Sequence, residues 1–451
     1  MPAAMLIPGD VVTADNLGIV RIVSKIGGGG QGEVYVGESS SLGRVAVKWY
    51  APQWATEQQQ VVLDDLISRG TPDARFLWPI SRVAKASDQH AVTLPSAAGC
   101  KSFGYVMPLC EVGYVPLARL VNGNLNPASD PSFAAILASC RQLVESFRLL
   151  HAGGLCYRDI SLGNVLLNPA MGDIRICDVD NVSVDDGTSA VLGTPLFMAP
   201  EIVRDTTYSV VPSRRTDLHS LAVLLFVLMF MEHPLIGQRV DQGIWDEAHA
   251  HRHFGTDPLF IMSPTDSSNR AVKPHVERYW QLYPEFLRAR MLTAFGEGLN
   301  DPRARVTEGE WGRVLTRLRD GMGTCPRCTA TVFHDLGSPT AGVCVACGAP
   351  LADPLVLVTG RRQMVASRHL LLGADLDRSG AAHEPIGRAV VHPQDGNRLG
   401  LKNLTARAWT VTMPDGVEYT VAPQQAIELT DGITVRAGDF VAEVRHAVAA
   451  R

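Results

Sequence analysis

No apolar run in this 451-residue sequence is long enough to cross a bilayer. The longest, LAVLLFVLMFM from Leu221 to Met231, falls well short of the roughly 20 residues a spanning helix needs and reads as a buried helix. The opening MPAAMLIPGD has neither the basic start nor the long apolar core of a secretion signal, so a cytoplasmic chain with no membrane association is expected. A large charge of one sign is missing too. The 41 basic and 46 acidic side chains leave a formal net charge of −5, no global field that would gather nucleic acid, and nucleic acid is not an expected partner. Internal repeats and long low-complexity linkers are absent. What is plentiful is apolar surface: 46% hydrophobic residues over this length supply cores for roughly two to four domains.

Of nine cysteines, Cys100, Cys110, Cys140, Cys156 and Cys177 are scattered and the other four form two C-x-x-C pairs. That usage fits a reducing compartment and one metal site rather than a disulfide framework. Cys325, Cys328, Cys344 and Cys347 spell C-x2-C-x15-C-x2-C, a spacing that suits tetrahedral Zn²⁺ on four thiolates. Such a site has no open coordination position, so the zinc is expected to be structural. Arg313, Arg317, Arg319 and Arg327 lie nearby and read as a solvated face.

Short strand-like runs fill residues 14–110, broken by one helical stretch around TEQQQVVLDDLIS; helical patterns dominate 111–320. From about 354 the text turns to apolar strands, with PDG (Pro414–Gly416) and TDG (Thr430–Gly432) expected as hairpin turns. In HAHRHF, His249, His251 and His253 stand two apart and point in different directions on a helix, which reads as a solvated face rather than a metal site.

The segment IGGGGQGEVYVGE carries G-x-G-x-x-G-x-V as Gly27, Gly29, Gly32 and Val34. It lies between two strand-like runs, which argues against a dinucleotide fold, whose glycines must open a helix. A hairpin lid over a triphosphate needs the same glycines, because only bare backbone approaches phosphate oxygens closely. Downstream, RVAVK alternates Val45 and Val47 and ends on Lys48, placed to aim an ammonium at the α- and β-phosphates.

With the segments that follow, the sequence resembles the eukaryotic-type protein kinases over about residues 14–320. In LLHAGGLCYRDISLGN, Tyr157 stands where the family usually has His, and the resemblance makes Asp159 the catalytic base and Asn164 a magnesium ligand. In RICDVDN, Asp178 matches the metal-binding Asp of D-F-G, with Val179 and Asp180 replacing Phe and Gly. GTPLFMAPE matches the end of the activation segment, with Thr194 and Glu201 in their usual places; Asp217 heads the buried anchoring helix, and Arg305 is the expected partner of Glu201. FGYVMPLC resembles the strand entering the hinge, making Met107 the gatekeeper and Pro108–Cys110 the adenine contact. Arg158 is implied as a reader of activation-loop phosphorylation, with Ser183, Thr188, Ser189 and Thr194 as candidate acceptors. The implied cofactors are ATP and Mg²⁺, held by Asp178 and Asn164, with a protein hydroxyl as substrate.

Three departures stand out. Ser161 occupies the position where most Ser/Thr kinases carry a Lys, and Gly163 excludes the alternative Arg, so the loop lacks a cation for the transferring group. Losing one such contact costs on the order of 10²- to 10³-fold in rate, which predicts a slow enzyme. Asp180 adds a carboxylate where the family has glycine. The helix acid that should pair with Lys48 is left open between Glu57, Asp64 and Asp65, with spacing favouring one of the two Asp.

The cysteine module resembles a zinc ribbon, and LGLKNLTARAWTVTMPDGVEYTVAPQQAIELTDGITVRAG resembles the second half of a forkhead-associated domain. The Arg and Ser with which that family binds phosphothreonine are not found in RHLLLGADLDRSG or IGRAVVHP, so a docking-only module is expected. The whole order resembles bacterial kinases of tellurium-resistance-type systems, which implies a von Willebrand A protein and a metal-dependent phosphatase as partners. The expected fold is α+β. A tail (1–13) precedes a bilobal kinase with N-lobe 14–110 and C-lobe 111–320, followed by a zinc ribbon (321–353) and a small all-β, forkhead-associated-like sandwich (354–451). The expected activity is Ser/Thr protein phosphorylation in bacterial signalling or stress response. Two rivals remain: a nucleotide-binding pseudokinase scaffold, and a small-molecule phosphotransferase, which the full GTPLFMAPE segment disfavours.

Overall fold

The structure is a computed structural model that describes residues 5–85, 103–123, 130–185, 193–207, 209–242, 245–336, 342–373 and 385–447. The chain divides into two compact units, Met1–Arg270 with Thr293–Gly309, and Ala271–Leu292 with Glu310–Arg451.

The first unit opens with a closed antiparallel barrel. Its strands are β1 (Val11–Ala14), β2 (Gly18–Gly28), β3 (Gly32–Ser39), β4 (Gly43–Tyr50), β5 (Ser81–Lys85) and β6 (Phe103–Pro108), in the order β1-β2-β3-β4-β6-β5. Pairing of β1 with β5, Ala14 opposite Val83, closes the ring, and Leu6 packs in its core, so residues ahead of position 14 take part. Alternation along β4 sorts the two faces. Val45, Val47 and Trp49 fill the barrel with Tyr35, Val20 and Val106, while Ala46 and Tyr50 join a second cluster with Leu63 and Tyr105. Leu63 belongs to helix α1 (Glu57–Arg69), which starts where the Thr56 hydroxyl accepts the Gln59 amide at 3.1 Å.

Beyond the barrel come α2 (Leu117–Val121), α3 (Phe133–Ala152), α4 (Pro200–Val203) and α5 (Arg214–Phe230). Every residue of α5 from Thr216 to Phe230 is buried, as its uninterrupted apolar run requires. Five short strands then hold the site. They are β7 (Val115–Pro116), β8 (Leu155–Cys156), β9 (Val165–Asn168), β10 (Asp173–Ile176) and β11 (Ser183–Val184). Pairing of β8 with β11 and of β9 with β10 sets the loop 157–164 beside the loop 177–182.

The second unit carries a hairpin of β12 (Met322–Thr324) and β13 (Thr331–Phe333), then ten strands in two sheets. These are β14 (Leu355–Thr359), β15 (Arg362–Val365), β16 (Leu371–Leu372), β17 (Gly387–His392), β18 (Asp395–Asn403), β19 (Trp409–Thr412), β20 (Glu418–Val421), β21 (Ala426–Glu428), β22 (Thr434–Ala437) and β23 (Phe440–His446). The sheet orders are β15-β14-β23-β22-β19-β20 and β16-β17-β18-β21. One core draws Leu357, Val411, Val435 and Val444 from the first and Leu372, Ala389 and Leu401 from the second. PDG does close the β19–β20 hairpin, Met413 donating or accepting at both its ends. TDG does not close one. It carries the chain from β21 in one sheet to β22 in the other, a crossover that needs the same positive-φ glycine (Gly432, φ 83°) and so leaves the same sequence signal. Among the described residues no helix is long and apolar enough to cross a membrane.

Candidate active site

Lys48 sits on the α1-facing side of β4 and is buried, yet its ammonium is surrounded by acceptors. It donates to both carboxylate oxygens of Asp180 at 2.9 Å, to Asp178 Oδ1 at 3.0 Å and to Gln31 Oε1 at 3.2 Å. Burial alone would depress the amine; the Asp180 and Asp178 charges more than reverse this and hold it well above its ordinary value. None of the three acids proposed from the sequence is the partner. Asp64 pairs with Arg82 (3.2 Å) and Asp65 with Arg69 (2.7 Å), each turned away along the helix surface, and Glu57 lies exposed in the first turn. The α1 residue that does reach this site is Gln59, whose Nε2 donates to the Asp180 carbonyl at 2.9 Å and to the Tyr50 hydroxyl at 3.1 Å. Tyr50 in turn donates to Asp180 Oδ2 at 2.6 Å.

The loop 157–164 gathers the other candidates. Asp159 Oδ1 accepts the Thr194 hydroxyl at 2.5 Å and Oδ2 accepts Asn164 Nδ2 at 3.0 Å; that amide also donates to the Asp159 carbonyl at 2.8 Å. These bonds engage the Asn164 amide through its nitrogen, and its carbonyl oxygen is the acceptor that could serve a cation. Asp178 has φ 55°, in the left-handed region that Asp tolerates better than most residues, and its side chain is 44% exposed, available to a metal in a way that Asp180, at 1%, is not. Thr194, proposed as a phosphorylation site, is thus occupied as a tether for Asp159. Ser183 lies in β11, and Thr188 and Ser189 fall outside the described residues.

A buried polar network holds the loop in place. Asp217 accepts the backbone amides of Tyr157 (2.6 Å) and Arg158 (2.8 Å), and His151 Nε2 lies 3.0 Å from the same carboxylate. The other imidazole nitrogen meets Glu308, which also accepts Arg214 at 3.1 Å. Burial opposes a charge on His151, but the hydrogen bonds to Asp217 and Glu308 outweigh it and raise its pKa to about 9. A His whose folded pKa exceeds its unfolded value of about 6.5 contributes stability that is complete below that pH and vanishes as pH rises through about 9. Denaturant titrations should accordingly show wild type losing on the order of 3 kcal/mol between pH 6 and 9.5 that His151→Gln does not lose. Equal pH slopes in the two proteins would refute the charged triad. The expected Arg305–Glu201 pair forms as a two-pronged contact at 2.7 and 2.6 Å, fixing the GTPLFMAPE segment from below.

The glycines divide into two kinds. A Cβ on Gly32 would lie 2.2 Å from the Trp49 carbonyl oxygen, so β3 and β4 can pair only with glycine there, whereas Gly27 and Gly29 have nothing within 4 Å. Gly32→Ala should therefore lower the melting temperature by a shift equivalent to about 1–3 kcal/mol. Gly29→Ala should melt like wild type and lose ATP affinity alone. A groove of about 580 Å³ opens at this turn, lined by the glycines with Lys25 and Glu33. Val34 and the buried Met107 pack in one cluster with Ala46, Leu166 and Cys177, the apolar surface expected around an adenine.

The four module cysteines converge. All four sulfurs lie within 4.8 Å of one another, with Cys325–Cys347 at 3.8 Å and Cys328–Cys344 at 3.6 Å. Those separations are far beyond the ~2.05 Å of a disulfide. They match the edges of about 3.8 Å that ~2.3 Å zinc–sulfur bonds impose on a tetrahedron. The Cys328 and Arg327 backbone amides lower the Cys325 thiol, while the neighbouring sulfurs push that of Cys328 up.

The histidine triplet is not a solvated face. His253 is buried, and its ring packs at a tilt against His249, centroids 4.5 Å apart, because a helical turn brings i and i+4 together. The residues missed from sequence are Gln59, Tyr50 and Gln31, all neutral and unremarkable until the fold joins the first two to Asp180 and the third to Asn181, from about 120 to 150 positions away.

The family model for the protein kinase domain matches residues 20–273. Serine/threonine-protein kinase N2 of Danio rerio is 32% identical over 133 residues, 28% of this chain and 13% of that protein. Serine/threonine-protein kinase 10 of Homo sapiens is 27% identical over 222 residues, 48% of this chain and 21% of that one. A DNA damage-responsive serine/threonine-protein kinase of Deinococcus radiodurans is 27% identical over 249 residues, 53% of this chain and 33% of that protein. The aligned segments thus span a third or less of these curated relatives.

Proposed function

The chain belongs to the protein kinase family, and from that premise we propose that it is an ATP- and magnesium-dependent Ser/Thr protein kinase, phosphorylating protein hydroxyls including its own. The observation that carries the reading is the double anchoring of Asp159 by Thr194 and Asn164, which ties the candidate base to both the peptide platform and a metal ligand. ATP with magnesium, when bound, supplies an electrophilic γ-phosphorus and a neutralised leaving group. Asp178 and Asn164 would hold the cation, Lys48 the α- and β-phosphates, and Gly27 and Gly29 the space for them. Asp159 would orient the incoming hydroxyl and take its proton as the new P–O bond forms and the bond from the γ-phosphorus to the ADP oxygen breaks. The metal supported for the four-cysteine module is structural zinc. We assign 321–353 to a zinc ribbon and 354–451 to a forkhead-associated-like sandwich. Both recruit partners of a bacterial signalling system, among them a von Willebrand A protein and a metal-dependent phosphatase.

A second reading has its own observation in favour: no residue of 159–164 is basic, and Ser161 is buried, so the chain as a nucleotide-binding scaffold without transfer is the competitor. Incubation with ATP and magnesium followed by intact-mass analysis separates the two. Phosphate adducts on wild type that are absent from Asp159→Asn support the kinase; none on either supports the scaffold.

A further inference from the structure

We propose that Asp180 is the positioning residue for Lys48, doing from within the turn after Asp178 what an acid on α1 would otherwise do; the inference rests on the kinase reading of the site. Both Asp180 oxygens lie 2.9 Å from the Lys48 ammonium and one also accepts Tyr50 at 2.6 Å. With a side chain 1% exposed, this carboxylate cannot turn toward a metal without stranding a buried ammonium and a buried phenol. Asp178, exposed and bonded to Lys48 through one oxygen only, can turn. The two acids of one turn thereby divide the work, Asp178 for the cation and Asp180 for the lysine.

The helix contributes no charge to this arrangement. Its two aspartates are committed to Arg82 and Arg69, and Gln59 docks through neutral bonds to the Asp180 carbonyl and Tyr50. Gln31 ties the glycine-rich turn to the same place, accepting from Lys48 and donating to Asn181 Oδ1 at 3.1 Å. The alignment of Lys48 is consequently set by the segment 178–181. A displacement of α1 breaks amide hydrogen bonds and leaves the ion pair whole.

The test uses the full chain with Asp180→Gly, Lys48→Met, their combination, and Asp180→Gly with Gln59→Glu. In nucleotide-free protein, Asp180→Gly should lower the melting temperature by roughly 5 °C, and adding Lys48→Met should cost clearly less than the sum of the two single changes. ATP affinity is measured without turnover, and kcat and KM separately where transfer occurs. Asp180→Gly should reduce kcat/KM for ATP on the order of 10²-fold, and Gln59→Glu added to it should recover at least a tenth of the wild-type value by restoring an acid from the helix side. Additive melting shifts overturn the proposal. So does coupling without recovery by Gln59→Glu, which makes the pair structural only. Should wild type bind ATP but transfer nothing, the kinase reading fails, and the same recovery read in ATP affinity decides this inference by itself.

Discussion

Cys325→Ser is expected to yield a chain without stoichiometric zinc, in which residues 322–333 and 342–351 lose their protection from hydrogen exchange. The hydrophobic core of this module consists of Cys325, Val332, Cys344 and Leu351, so half of what is buried is cysteine proposed to ligate the metal. With so little apolar area to offset chain entropy, the module on the proposed assignment should depend on zinc–thiolate bonds, which contribute on the order of 10 kcal/mol in small zinc domains. The damage should spread. Met322 accepts the Ser367 hydroxyl at 2.7 Å, and the Arg368 guanidinium reaches Thr324 at 3.1 Å, so the strands that follow lean on the ribbon hairpin. Arg362 adds a separate tie to Asp320 at 2.7 and 2.9 Å that does not need the metal, so the two sheets themselves should stay folded. Unchanged zinc content, or intact protection across 322–333 and 342–351, would contradict the assignment.

Asp159→Asn should abolish phosphoryl transfer, with kcat falling at least 10³-fold while ATP affinity stays within about threefold. The amide keeps the size and much of the bonding to Thr194 and Asn164, but it cannot accept the substrate proton. Lys48→Met should differ in kind, since the lysine proposed to hold the α- and β-phosphates would act in the ground state as well as in the transition state. Affinity and kcat should both fall. An Asp159→Asn enzyme retaining more than a tenth of wild-type kcat would remove the base from the mechanism.

Much of this architecture was legible because the relevant signals are local. The alternation Val45, Val47 before Lys48, the unbroken apolar run of α5 and the cysteine spacing each follow from one stretch of chain. The spacing of Asp159, Asn164 and Asp178 was legible for the same reason, since β8 to β11 hold the two loops by short local pairings. What failed was non-local. The partner of Lys48 depends on the rotation of α1 and on a residue 132 positions away, and the sequence shows Asp180 only as an added carboxylate, not as a group that meets Lys48. TDG and PDG carry one chemical signal for two topologies, because a positive-φ glycine turns the chain equally well within a sheet or between sheets. His253 was misread because its distance from His249 matters on a helix, and its distance from His251 does not.

Transfer of radiolabelled γ-phosphate from ATP to the chain itself and to a mixed protein substrate, with magnesium present, tests the central claim most directly. Incorporation by wild type that disappears in both Asp159→Asn and Lys48→Met is the predicted result. ATP binding with no incorporation above those two variants would contradict it.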